Sequence, residues 1–453
     1  MKLSVLKNFK PGPIEADFLN MLMFDIGGGM RSVSLPRGYV SETIFRDGIG
    51  FDASNYGFAK VDQSDMVAVP DCNAAWLEER GDFSIVHVIC DVVSTERKVF
   101  DQYPRSVAER TAEYLKEKGL ADSARMLVEL EYYVFDSVEY STGLDHAFYS
   151  IGSGEGLGED YDTQQRFAPL KGYHKLPPED RYFDFRNETV RLMEEAGIAV
   201  KYHHHEVGAS QLEIELDFMD LVKAADSVCI AKWIIHSVAE EMGFKVTFMP
   251  KPLYKMPGSG MHVHQFLEKA GKSLFPGDEL HGLSKAGLAY TSGLLEHSLT
   301  GSLLAFTNPS TNSFRRLVPG YEAPIGATFA KGSRSAAVRI PGYLKKDEVR
   351  VEYRTGDASA NIHYMLSAMV LAGVDGILRN ADPVANGFGG AEAKQEKVFP
   401  LSLNAVLDGL KKDNEWLKPA FPEKLLELWT KRKLEEAEYV YNAPTPQEYE
   451  LYF

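Results

Sequence analysis

Four short segments of this chain alternate ionisable and apolar residues with a period of two: Glu129-Leu130-Glu131, Glu213-Ile214-Glu215, His262-Val263-His264 and Glu352-Tyr353-Arg354. In a β-strand, residues i and i+2 project from one face. Each segment therefore reads as a strand with an apolar side and an ionisable side. A single strand of this kind is explained by a sheet surface that meets water. Four of them restrict the fold much more. If they share a sheet, Glu129, Glu131, Glu206, Glu213, Glu352 and His262 crowd together. Like charges ~4 Å apart repel strongly in a low-dielectric site, so such a cluster requires cations. Oxygen-rich ligation with one imidazole suits Mg2+ or Mn2+ better than structural zinc. The expectation is a site for two or more divalent metals, and metals combined with arginines clamp transferring phosphoryl groups.

Arginines are available at positions 315, 316, 334, 339, 350 and 354. Arg316 sits in a stretch thick with turn residues, 307–324, which reads as neither helix nor strand. A long ordered loop of this kind carries function more often than a short one. The phosphate-binding patterns GxxxxGK[ST] and GxGxxG are absent, as is the nucleophile pattern GxSxG, so nucleotide binding here uses another architecture. The run His203-His204-His205-Glu206 resembles a zinc tract superficially. Adjacent strand residues face opposite ways, so it is better read as delivering Glu206.

The length of 453 residues exceeds one typical domain, and the texture changes near Pro104. Residues 1–104 read as short strands and turns, with 83–91 as a buried strand. Beyond them, strands and helices alternate. Helices are expected at 106–118, 178–196, 221–242, 282–303, 362–378 and 422–439. Strands are expected at 125–135, 212–218, 260–267 and 348–353. Residues 152–167 read as a Gly/Asp-rich loop and 383–394 as an exposed excursion. A net charge of -16 argues against nucleic acid. Three cysteines without a CxxC pair fit a reducing compartment. The absence of a secretory leader and of any span near the ~20 apolar residues a bilayer requires points to the cytoplasm, away from membranes.

Taken in order, these segments resemble glutamine synthetase of the bacterial type. The likeness rests on Phe51-Asp52-Ala53-Ser54, Glu129-Leu130-Glu131, His203 to Glu206 with Glu213, and Gly258-Ser259-Gly260-Met261-His262-Val263-His264. It also rests on the 307–324 loop, Arg334-Ser335-Ala336-Ala337-Val338-Arg339-Ile340-Pro341, and Glu352-Tyr353-Arg354. The resemblance implies an α+β fold, with an N-terminal β-grasp domain over 1–104 and a catalytic domain over 105–453 built on a curved antiparallel sheet. It implies hexameric rings, two of them stacked as a dodecamer, with active sites shared between neighbours. Its substrates are glutamate, ammonium and ATP, joined through a γ-glutamyl phosphate.

By position, the resemblance implies one metal on Glu131, Glu206 and Glu213, and a second on Glu129, His262 and Glu352. It assigns glutamate and phosphate to Gly258, Arg316, Arg334 and Arg354, the ammonium pocket to Tyr173, and nucleotide to Phe218, His264, Arg334 and Arg339. Asp52 from an adjacent subunit is the implied base, Glu322 the lid acid, and Arg334 the group that neutralises the phosphoryl transition state. Several positions depart from the family pattern: Pro257 for an asparagine near glutamate, Asn55 and Ala53 beside Asp52, Ser333 before Arg334, and Lys201 where an acid often faces nucleotide. Phe399 stands nearest the tyrosine that some relatives adenylylate, so that regulation is expected to be absent. Two alternatives are a γ-glutamyl-polyamine or other γ-glutamyl-amine ligase, and a catalytically silent relative. The second should have lost ligands or the lid acid, and this chain keeps them.

Overall fold

A computed structural model describes residues 1–59, 64–156, 170–389 and 397–453. The first sheet has six strands: β1 (Lys2–Val5), β2 (Phe18–Phe24), β3 (Met30–Pro36), β4 (Ile49–Asp52), β5 (Asp65–Arg80) and β6 (Phe83–Ser94). Their order is β1-β5-β6-β2-β3, with β4 on β5. The second sheet begins with β7 (Ser123–Phe135); the hairpin β8 (Ser137–Thr142) and β9 (Ala147–Gly152) stands apart from it. It continues with β10 (Val200–His205), β11 (Gln211–Leu216), β12 (Met219–Asp220), β13 (Lys245–Thr247), β14 (Met261–Lys269), β15 (Lys272–Ser273), β16 (Phe329–Lys331), β17 (Val338–Ile340) and β18 (Val351–Tyr353). The path runs β10-β11-β7-β14-β18-β17-β16, so β7 is central although it comes first. The sheet is antiparallel except where β16 and β17 run parallel at one end.

Eleven α-helices occur among the described residues: α1 (Glu42–Asp47), α2 (Pro104–Glu117), α3 (Phe183–Glu195), α4 (Leu221–Met242), α5 (Lys285–Thr300), α6 (Leu304–Thr307), α7 (Ser313–Arg316), α8 (Ile362–Leu378), α9 (Leu403–Lys412), α10 (Glu423–Tyr441) and α11 (Pro446–Tyr452). Pro104 opens α2, where a missing N–H costs nothing. Gly119, with φ of 61°, ends it, and Leu120 N–H reaches back to the Leu115 carbonyl. The apolar α8 is buried almost throughout and packs on α5. A Cβ on Gly293 of α5 would overlap the Ala372 carbonyl oxygen, so the two backbones approach as closely as glycine permits.

Asn361 joins the two sheets' surroundings. Its side-chain oxygen caps α8 at the Tyr364 N–H, while its amide donates to the Ile26 carbonyl at 3.1 Å. Nearby, Arg105 of α2 is buried against Asp71 of β5, Asp91 of β6 and Asp226 of α4, and Asp226 also bonds His363 Nε2 at 2.8 Å. One continuous apolar cluster, from Leu19 in β2 to Trp429 in α10, runs through both parts.

Several sequence expectations shift at their ends. The helix expected over 178–196 begins only at Phe183, because Asp180 turns the chain by accepting the Tyr182 N–H at 3.2 Å. The strand expected over 212–218 stops at Leu216; Asp217 then accepts the Phe218 N–H at 2.7 Å and the chain pairs again as β12. The 307–324 loop contains the helical turn α7. The excursion expected to be exposed is anchored by the buried Phe388, whose carbonyl accepts the Phe329 N–H at 3.2 Å. Its residues 390–394, and 157–167 of the Gly/Asp-rich loop, lie outside the described residues.

Candidate functional site

Register now decides which charges meet. Across β11 and β7, Glu213 faces Glu131 and Glu215 faces Glu129. Across β7 and β14, Glu129 faces His262; across β14 and β18, His264 faces Glu352. Arg339 faces Glu352 from β17, and His204 of β10 faces Glu213. The ionisable sides of the alternating strands thus coincide on one face.

Two imidazoles order the middle of this face. His262 Nδ1 lies 2.9 Å from Glu129 Oε2, and His264 Nε2 lies 2.8 Å from Glu129 Oε1. An ionised carboxylate only accepts, so both rings donate to it. His264 Nδ1 then accepts from Arg350 Nε at 3.3 Å. His262 Nε2 lies 3.4 Å from Arg316 Nη2. Burial works to raise the Glu129 pKa, but the two ring donors hold it well below the usual carboxylate range. Glu352 is fully buried and pairs with Arg339 and Arg354; burial opposes its charge, while His264 and Arg354 lower its pKa.

Glu131 accepts the Gly260 N–H at 2.7 Å and Gln211 Nε2 at 3.3 Å. Burial, and then the charge of Glu131, push Glu206 up to about 7. Burial, then repulsion by Glu129, Glu206 and Glu131, raise Glu213 well above its ordinary value. The repulsion that raises these two pKa values is the condition a bound divalent cation relieves. Hard oxygen donors with one imidazole, that of His262, fit magnesium- or manganese-like ions. Carboxylate and ring atoms lie within 4.8 Å of one another in the groups Glu129–His264–Glu352, His204–Glu206–Glu213 and Glu129–Glu213–Glu215. These groups bring in His204, His264 and Glu215, where the resemblance names Glu131 and His262.

Above the face lies a cavity of about 440 Å³ lined by Glu131, Glu206, Glu213, His262, Gly258, Arg316, Arg334, Arg354, Tyr173 and Glu322 among others. Arg316 is fixed by donating to the carbonyls of Thr355 at 2.7 Å and Arg354 at 3.2 Å. Arg354 Nε donates to the Arg334 carbonyl at 2.9 Å. The Arg316 and Arg354 guanidinium groups are thus tied to the backbone of Arg354 and Arg334. Pro257 also lines the cavity, with its carbonyl held by the Tyr133 hydroxyl at 2.7 Å. Glu129 and Glu352 lie beside the cavity wall, bonded to His262 and Arg354. His264 and Arg339 sit on Glu129 and Glu352, outside the cavity lining. Phe218 is half-buried between Phe266 and the Arg350 guanidinium, apart from the cavity lining. Asp52 stands exposed at the end of β4, accepting the Ser54 N–H at 2.9 Å, and does not line this cavity either.

Two functional-looking groups escape a sequence reading. The triple histidine splits three ways. His203 accepts from Arg186, His204 faces the cavity side, and His205 points into the core. There His205 Nε2 meets Glu155 Oε2 at 2.9 Å, while its Nδ1 donates to the Glu206 carbonyl at 2.7 Å. Burial opposes the imidazolium, but the Glu155 carboxylate outweighs it and raises the His205 pKa. Glu155 Oε2 also accepts the Ser210 N–H at 2.6 Å, and Ser210 has φ of 67°, unusual for a residue with a Cβ. Glu155 and His205 therefore clasp both ends of the turn that separates Glu206 from Glu213. The only sequence signal was an acid between Gly154 and Gly156, which reads as an ordinary turn. Glu215 was visible as a face-mate of Glu213, but its partners were not.

Comparison with known proteins agrees with this geometry. Residues 101–452 match the family model for the glutamine synthetase catalytic domain, and residues 15–95 match that for its β-grasp domain. A glutamine synthetase of Mycolicibacterium smegmatis is 37% identical over 97% of this chain and 96% of its own length. One from Nostoc is 35% identical over 99% and 98%. Among solved structures, Plasmodium falciparum glutamine synthetase superposes with a TM-score of 0.91 at 25% identity, covering all of both chains. A ligand-free GmaS superposes at 0.79 and 26% identity, covering 96% of each. A family match over nearly the whole length, on a fold whose acids and arginines converge as described, leaves one assignment: the chain belongs to the glutamine synthetase family.

Proposed function

We propose the following division of labour for ATP-dependent synthesis of glutamine from glutamate and ammonia, the activity of the family to which this chain belongs. The observation that carries it is the meeting of three carboxylates, Glu131, Glu206 and Glu213, with three guanidinium groups, Arg316, Arg334 and Arg354, around one cavity. Glu131, Glu206 and Glu213 would hold one Mg2+ or Mn2+ ion, and Glu129, His262 and Glu352 a second. Bound there, such ions supply charge neutralisation at phosphate oxygens.

A γ-carboxylate oxygen of glutamate attacks the terminal phosphorus of ATP, and the bond to ADP breaks. The ammonia nitrogen then attacks the γ-carbon, and phosphate leaves with the acyl C–O electron pair. Arg316 and Arg354 hold the substrate carboxylate and transferring phosphoryl, Gly258 lies against glutamate, and Arg334 balances the charge that develops. Tyr173 shapes the ammonium pocket. Glu322, on the 318–324 loop, closes the site against water. Phe218, His264 and Arg339 serve the nucleotide end. Asp52 of a neighbouring copy takes the ammonium proton, which requires a ring assembly; we take hexameric rings paired as a dodecamer.

The same reading divides the chain at residue 104, between the end of β6 at Ser94 and the start of α2 at Pro104. It places the protein in the cytoplasm; among the described residues no helix is long and apolar enough to cross a membrane. It also treats Phe399 as unmodified, since its ring has no hydroxyl and is buried.

The deciding experiment measures phosphate release with ATP and Mg2+ or Mn2+, comparing glutamate plus ammonium with glutamate plus polyamines. Release that requires glutamate and ammonium, and collapses in Asp52→Ala, supports the reading. Release with polyamines alone refutes it.

A further inference from the structure

Glu215 is an acid in a place that the ligand sets given above leave unused. It pairs with Glu129 across β11 and β7, and one carboxylate oxygen from each of Glu129, Glu213 and Glu215 lies within 4.8 Å of the other two. The residue is 1% exposed, and its Oε2 is buried without a hydrogen-bond partner. Its Oε1 accepts from Lys201 Nζ at 2.5 Å. Lys201 reaches it because the β10–β11 register shifts between Val200 and Tyr202, and such an irregularity re-aims a side chain.

Three carboxylates share this space: Glu129 takes the two histidine rings and Glu215 takes Lys201. A buried carboxylate oxygen without a partner, close to two further carboxylates, is a ready donor to a divalent cation. Lys201 itself is 37% exposed at its side chain, so it can swing away to water without leaving a hole.

We propose that Glu215 is a further metal-binding carboxylate, completing with Glu129 and Glu213 an oxygen-donor site for a divalent cation. Lys201 is its built-in competitor: it occupies Glu215 when the cation is absent and yields when it binds. This rests on the reading of the sheet face as metal-binding. The bland reading is a half-buried ion pair with no bearing on metal, and the two differ in what removing the lysine does. Under the proposal, losing Lys201 frees Glu215 and tightens cation binding. Under the bland reading, cation binding does not change.

The test is Mn2+ binding to the purified full-length chain, followed by the EPR signal of free Mn2+. Wild type is compared with Glu215→Gln, Lys201→Met and the double variant. The expected result is a loss of about ten- to a hundredfold in affinity for one class of site in Glu215→Gln. Lys201→Met should bind that class more tightly, and the gain should vanish in the double variant. Unchanged binding in Glu215→Gln, or a Lys201→Met gain that persists in the double variant, overturns the proposal alone. A wild-type chain that binds no Mn2+ overturns the metal-face reading with it. Lys201→Met removes only a half-exposed side chain, so it decides the matter even if Glu215→Gln does not fold.

Discussion

Metal affinity should be coupled to pH through Glu206, and the size of the coupling follows from its surroundings. Burial and the facing Glu131 put the Glu206 pKa at about 7 in the metal-free protein. Only the ionised carboxylate ligates a cation. With that pKa the group is about 9% ionised at pH 6 and about 91% at pH 8, so this residue alone makes the cation site about tenfold tighter at the higher pH. Glu213, raised further by burial and by Glu129, adds a second proton released in the same direction. The stability sign is opposite. A carboxyl whose folded pKa is raised stabilises the metal-free fold below pH 4.5, and that contribution is lost as pH climbs through about 7. Metal-free protein should therefore weaken toward neutrality, and added Mn2+ should restore it. Calorimetric Mn2+ titrations at pH 6 and 8, in buffers of different ionisation enthalpy, give both the affinity ratio and the protons released. Glu206→Gln should reduce both. An affinity that is flat from pH 6 to 8, or proton release unchanged in Glu206→Gln, refutes the argument that these acids repel one another.

Glu155→Gln removes the anion that holds the His205 imidazolium and the strained Ser210 N–H. Mn2+ affinity should fall about ten- to a hundredfold, with the circular-dichroism spectrum retained; unchanged affinity would mean the clasp does not place Glu206. Gly258→Ala puts a Cβ 2.6 Å from both Arg316 Cγ and the Pro250 carbonyl, so Arg316 must move. A displacement near 1 Å costs about a hundredfold in activity, visible in kcat/KM for glutamate, and wild-type kinetics would argue against Arg316 as a substrate clamp. Arg105→Met leaves Asp71, Asp91 and Asp226 without their cation at the junction of β5, β6 and α4. It should destabilise by about 3–5 kcal/mol, read from the urea midpoint, which would stay put if the network were neutral.

The alternating strands were legible because a period of two fixes which side chains share a face, whatever the strand pairs with. That is why Glu129, Glu131, Glu213, His262 and Glu352 could be grouped from the sequence alone. Helix ends were legible where glycine closes them, as at Gly243 after α4. Ends set by side-chain turns, Asp180 before α3 and Asp217 after β11, were not, because an aspartate reads equally well inside a helix or beside a strand. The 16-residue β5 was missed as one element. Its register breaks between Pro70 and Ala75, so the alternation seen along it is interrupted.

Partnership across strands was the part the sequence withheld, and it is where the chemistry lies. Period gives a face but no register, and register decides that Glu129 meets two donating rings while Glu213 meets other acids. The same alternating pattern thus yields one carboxylate whose pKa is held low and another whose pKa is pushed up. A core strand normally avoids such a contrast, since unpaired buried charge destabilises the fold. Here the neighbours of β7 place donors at its β14 side and acids at its β11 side, so the imbalance is concentrated at one edge of the cavity. On the reading proposed above, a cation at the β11 side would meet the acids whose pKa values burial and mutual repulsion raise. Binding and charge neutralisation would then be the same event at Glu206 and Glu213, the two acids of this face whose pKa values are raised.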